Sequence, residues 1–130
     1  MPRLDVPETL PDRLFHLAID VDWIDALQTD GRYRTSTVGR ALGEVGFVHC
    51  SFAEQVQATA DRFYPGRRDV LLLAIDPTRL DVPVRVERAP GSGERFPHVY
   101  GAISVDAVVW AQPVPLGPDG LLDLGALLRP

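Results

Sequence analysis

A single cysteine, three histidines and no long apolar run set the first limits on this chain of 130 residues. Cys50 has no second cysteine to pair with, which excludes an internal disulfide and fits a reducing compartment. No stretch approaches the roughly 18 consecutive apolar residues that span a bilayer. Met1-Pro2-Arg3-Leu4-Asp5 lacks the charged-then-apolar layout of a secretory signal, so the expected location is the cytoplasm. Positive charge is also scarce: 13 Lys plus Arg against 18 Asp plus Glu leave a net charge of −5. That argues against broad, salt-sensitive binding to a nucleic-acid backbone, while a single nucleotide or dinucleotide held by a few local donors stays open.

The common catalytic signatures are missing as well. There is no Gly-x-Ser-x-Gly elbow, no phosphate loop ending in Lys-Ser/Thr, and no internal repeat. Gly91-Ser92-Gly93 lacks the strand-to-helix context of a dinucleotide turn. Cys50, facing away from His49 on an extended segment, is expected on the packed side rather than as a nucleophile.

What is present reads as one globular domain over residues 1–130. Residues 1–12 form a proline-punctuated arm, 13–112 the core, and 113–130 a Pro/Gly/Leu-rich tail that can add a helical turn against it. Leu14 to Ile19 alternates, placing Phe15, Leu17 and Ile19 on one face and Leu14, His16 and Ala18 on the other. Asp22 is placed to cap a helix that buries Trp23, Ala26 and Leu27 and ends before Gly31. Residues 31–45 are too irregular to assign. Phe47 to Cys50 is a short strand, and Ser51 with Glu54 has the form of a capping box for a helix carrying Val56, Ala60 and Phe63. Val70 to Ile75, uninterruptedly apolar, predicts a strand covered on both faces. Further strands are expected over 82–88 and 105–111, giving an α+β domain of five or six strands and two main helices.

All three histidines follow an aromatic residue: Phe15-His16, Phe47-Val48-His49 and Phe96-Pro97-His98. A chain that keeps its imidazoles off the charged surface places them in the fold or a cleft, and three suggest one shared pocket. His49 stands just before a helix start, where backbone donors favour an anion, and Ser51 shares its side of the strand. Ser51 also suffices as a cap, and either His49 or His16 as a hydrogen-bonded core residue. His98 and Tyr100 share a face of a segment that follows a glycine-bearing loop, the form of a ligand lid or of an ordinary edge strand. A three-histidine metal site is a further possibility, but the histidines are too far apart to show short ligand spacing.

Leu14-Phe15-His16-Leu17-Ala18, the Trp23 helix, Gly31-Arg32-Tyr33-Arg34, Gly46-Phe47-Val48-His49-Cys50-Ser51 and Phe96-Pro97-His98-Val99-Tyr100-Gly101 together resemble domain-of-unknown-function family 952, a bacterial family, over about residues 13–112. That family is similar in fold to the ADP-ribosyltransferase superfamily, which includes the RNA 2′-phosphotransferases. The resemblance implies a split, mostly antiparallel sheet gripping NAD, as substrate, in a central cleft. It implies that His16 fixes the nicotinamide-side ribose and that His49 and Ser51 meet phosphate or amide. Such enzymes steady the developing oxocarbenium charge with a late glutamate. No glutamate here lies in a recognisable late motif; Glu87 is the better placed and Glu94 the alternative. His98, Phe96 and Tyr100 would complete the nucleotide-binding set. A non-catalytic ligand-binding module on the same scaffold is the alternative. The expected partner is a small-molecule nucleotide, with no membrane and no broad nucleic-acid contact.

Overall fold

The computed structural model describes residues 10–37, 40–89 and 93–129. Its spine is a three-stranded antiparallel sheet in which β4 (Val70–Ile75) lies between β1 (Leu14–Ile19) and β8 (Val108–Pro113). The apolar run of β4 follows from this central position, because both of its faces are covered. Leu73 and Ile75 join a core with Leu14, Ala18, Trp23 and Tyr33, while Leu72 and Ala74 join a second core with Phe15, Leu17, Val56 and Tyr64. The alternation of β1 is thus a division between two cores.

A second three-stranded sheet has β6 (Arg95–Val99) between β3 (Val48–His49) and β5 (Val84–Arg88). A third sheet pairs β2 (Arg32–Tyr33) with β7 (Ile103–Ser104). Among the described residues three helices complete the α+β fold: α1 (Asp20–Gln28), the short α2 (Leu42–Val45) and α3 (Val56–Phe63). None is long and apolar enough to cross a membrane.

Several expectations from sequence change. Helix α1 begins at Asp20, whose amide bonds to the Asp69 carbonyl, so Asp22 sits inside the first turn and is not a cap. Its buried residues are Trp23 and Ala26, whereas Leu27 faces solvent. Ser51 does not cap α3. Its amide and carbonyl are both claimed by Phe15, at 2.7 and 2.9 Å, and the helix starts only after Gln55. The segment expected as a lid or edge strand is β6, the middle strand of its sheet, with Phe96 to Val99 buried; Pro90 to Ser92 of the preceding loop lie outside the described residues. Residues 105–107 form a 3-10 turn before β8, because the Ser104 hydroxyl accepts from the Asp106 amide and turns the chain. The tail packs on its own chain, where Leu122 and Leu124 are buried in the second core.

Candidate functional site

The three histidines come from three strands, and sheet register brings them together. β3 pairs with β6 so that His49 lies opposite His98. The Phe15–Ser51 bridge then holds the end of β3 against β1, beside His16. His16 Nδ1 lies 2.7 Å from the His49 carbonyl, and its Nε2 lies 2.9 Å from the Tyr33 hydroxyl. A carbonyl only accepts, so Nδ1 of His16 donates and the Tyr33 hydroxyl donates to Nε2. Burial pulls the His16 pKa down to about 4, only partly opposed by its bond to the His49 carbonyl, so the ring is neutral at pH 7.

His49 is gripped from all sides. Its amide donates to Ser36 Oγ at 3.1 Å, and its ring tilts against Phe96 with centroids 4.7 Å apart. Its Nδ1 lies 3.0 Å from His98 Nε2. On the far side, His98 Nδ1 meets Glu87 Oε1 at 2.9 Å, and the Tyr100 hydroxyl donates to the same oxygen. Phe47 stacks on His98, with centroids 4.0 Å apart and planes 16° from parallel. Burial and the neighbouring His98 and His16 lower the His49 pKa to about 3. Burial also lowers His98, more than Glu87 raises it. Burial alone would raise Glu87, but the bonds from Tyr100 and His98 outweigh it and hold the carboxyl below its usual range.

Beside His49 opens a cavity of about 380 Å³. Its apolar walls include Phe47, Phe63, Phe96 and Val45; its polar groups include Thr37, Arg40, Gln55, Arg62 and His49. Glu94 is the one acidic side chain among the described lining residues. Among the described residues Nε2 of His49 makes no hydrogen bond and no buried side-chain nitrogen or oxygen lacks a partner, so this nitrogen is not sealed in the interior, and His49 lines this cavity.

Of the residues singled out from sequence, His49, Phe96 and Glu94, the alternative acid, line this cavity. His16 and Ser51 lie among buried side chains, where with Thr59 and Tyr64 they surround a void of about 10 Å³ that holds a water at most. The Ser51 hydroxyl is 3.3 Å from that of Thr59. His98, Glu87 and Tyr100 stand behind His49, away from the cavity. Sequence reasoning did not find Arg40, Arg62, Thr37 or Tyr33. Three of these lie in the stretch left unassigned, and Arg62 stands in the last turn of α3. Both ring nitrogens of His16 and of His98 are occupied by hydrogen bonds, and among the described residues no cluster of His, Cys, Asp or Glu is arranged to hold a metal ion.

Residues 19–111 match the family model described as protein of unknown function, DUF952. The crystal structure of protein CC0527 from Caulobacter crescentus is similar, with 32% sequence identity over 89% of this chain and 97% of that one, at a TM-score of 0.77. The solution NMR structure of CC0527 gives 30% identity over 90% and 97%, at a TM-score of 0.70. No curated protein matches the chain. With most of its core inside the family model and one architecture shared almost end to end with CC0527, the chain belongs to the DUF952 family of proteins of unknown function.

Proposed function

We propose that the His49 cavity binds a small anionic ligand of the nucleotide class, NAD or a relative, and that His49 contacts it directly. The observation that carries this reading is that His49, whose Nε2 has no partner among the described residues, lines a cavity together with two guanidinium side chains, Arg40 and Arg62. Guanidinium forks match phosphate oxygens, and aromatic walls such as Phe47, Phe63 and Phe96 suit a nicotinamide or a base. At about 380 Å³ the cavity lies near the lower end of the range for small-ligand sites, roughly 300–1,000 Å³. It therefore takes a mononucleotide-sized portion of such a ligand.

In an ADP-ribosyltransferase-like reaction the nicotinamide–ribose bond breaks, and positive charge develops on the ribose. Glu94, in the cavity, is placed to steady that charge; Glu87, engaged by His98 and Tyr100, serves His49 instead. His16 acts through the His49 carbonyl rather than on the ribose. A second reading, binding without turnover, is favoured by the engagement of Glu87, which leaves the cavity with one carboxylate among the described residues.

Calorimetric titration with NAD, ADP-ribose and nicotinamide, with free nicotinamide assayed in the same samples, tests both. The expected result is binding of NAD and ADP-ribose by the parent and at least tenfold weaker binding by His49→Ala of unchanged circular dichroism. Release of nicotinamide supports the transferase reading, and binding without release supports the module. If neither nucleotide binds the parent, both are overturned.

A further inference from the structure

From the hydrogen-bonded series Glu87–His98–His49 we infer that Glu87 and His98 are positioning residues that lock His49 into one tautomer, its proton on Nδ1 and a bare lone pair on Nε2. The site would therefore demand a hydrogen-bond donor, a hydroxyl or N–H, from its ligand at that point. This rests on the reading of the cavity as a ligand site and specifies what the ligand must offer there.

An ionised Glu87 has acceptors and no donor, so the His98 nitrogen 2.9 Å away, Nδ1, carries a proton. His98 is sealed from solvent at 1% exposure and stacked against Phe47, an environment that disfavours a second proton on the ring. A neutral imidazole has one N–H, so Nε2 of His98 is left as an acceptor. Its partner among the described residues, 3.0 Å away, is Nδ1 of His49, which must then be the donor. With that one proton spent, Nε2 of His49 is bare.

Tyr100 strengthens the first link by donating to the same Glu87 oxygen, and its ring carries the Arg85 guanidinium 4.7 Å from the centroid. Two cavity functions then separate by chemistry. A lone pair repels a fully ionised phosphate oxygen, so phosphate belongs with Arg40 and Arg62, while a ribose hydroxyl suits His49. Orientation of one histidine by a carboxylate is a familiar device; here a second imidazole stands between them, carrying the constraint from Glu87, on the outer side of β5, to the cavity.

Nitrogen NMR of the ligand-free, 15N-labelled protein at pH 7 tests this independently of any nucleotide. The expected spectrum shows His49 and His98 neutral and protonated at Nδ1 alone. Glu87→Ala, checked for a preserved amide spectrum, should move a substantial fraction of His49 to the Nε2-protonated form. An Nε2 proton on His49 in the parent, or an imidazolium at His98, overturns the inference. So does a His49 tautomer that is unchanged in a folded Glu87→Ala. Should that variant not fold, the parent spectrum decides alone. Because no ligand is added, failure of nucleotide binding leaves this result standing, and the reverse also holds.

Discussion

His16 donates a hydrogen bond from Nδ1 to the main-chain carbonyl of His49, 2.7 Å away and from a different sheet. The bond does for the backbone of His49 what His98 does for its ring. Together they fix one residue from two strands of different sheets, beside the Phe15–Ser51 bridge. A histidine held at both ends, with one nitrogen left without a partner among the described residues, suits the ligand contact proposed for it.

The inner end of this arrangement should be a stability determinant. Tyr33→Phe removes the hydroxyl that donates to His16 Nε2 and leaves that buried acceptor without this partner, at a cost of about 1–3 kcal/mol. His16→Ala removes the donor to the His49 carbonyl and the imidazole that accepts from Tyr33, and empties the space of a buried ring, so it should cost more. Urea unfolding of both variants should rank parent, Tyr33→Phe, His16→Ala in falling midpoint. A Tyr33→Phe protein as stable as the parent would show that this bond contributes nothing.

Stability should also fall in mild acid. His16 and His49 drop from 6.5 to about 4 and about 3 on folding. As pH falls below about 6.5, the unfolded chain takes up protons at both positions and the folded chain does not. Stability is therefore complete above that pH and declines through the window down to the folded values. His16 alone contributes a loss on the order of 3 kcal/mol by pH 4. Carboxylates held low by their partners, such as Asp30, Asp69 and Asp76, lose their contribution below about pH 4.5, so the range from pH 7 to 5 isolates the histidines. Unfolding midpoints measured at pH 7.5, 6 and 5 should decrease in that order, and less steeply in His16→Asn. Equal midpoints at pH 7.5 and 5 would contradict the buried, neutral state of these rings.

Where local pattern alone decides, the sequence was legible. Val70 to Ile75 reads as a doubly covered strand because six apolar residues in a row leave no polar face, and that is what β4 is. The alternation of β1 shows its two cores for the same reason. The common aromatic setting of the histidines was visible too, and the structure does gather them. Features decided by distant partners were not legible. Ser51 carries a good local capping signal, but Phe15 competes for the same backbone groups through a bridge no short window contains. Tyr33 and Arg40 sit in a stretch without periodicity; pairing with β7 and the Thr35–Ala41 bridge give that stretch its shape. Arg62 looks like any solvated charge on a helix until the fold shows the cavity beside it.

Gly101 ties the outer end of the series to the fold. It follows Tyr100 with φ of +156°, and a Cβ built there would lie 2.5 Å from Val82 Cγ1 and 2.9 Å from Val82 Cβ. Such contacts force the backbone or Val82 to move, so Gly101→Ala should cost about 1–3 kcal/mol. Adding Val82→Ala removes the closest contact and should restore part of that loss in the unfolding midpoint. Full stability of Gly101→Ala would mean that the turn after Tyr100 is free to shift.

The two arginines offer the cleanest separation of binding from stability. Arg40 makes a 3.8 Å ion pair with Glu44, and both partners are more than half exposed; such pairs contribute little to folding. Arg62 lies over the neighbouring Phe63 ring at 5.0 Å, also on the outer part of its helix. Charge-assisted bonds to a phosphate, by contrast, are worth about 1.5–3 kcal/mol each, or roughly tenfold and more in affinity. Arg40→Ala and Arg62→Ala should therefore each weaken ADP-ribose binding by at least about tenfold in calorimetry, with urea midpoints close to the parent's. Nicotinamide, which has no phosphate, should bind all three proteins equally. If both variants hold ADP-ribose as tightly as the parent, the guanidinium groups do not receive the phosphates, and the cavity's charge serves some other ligand.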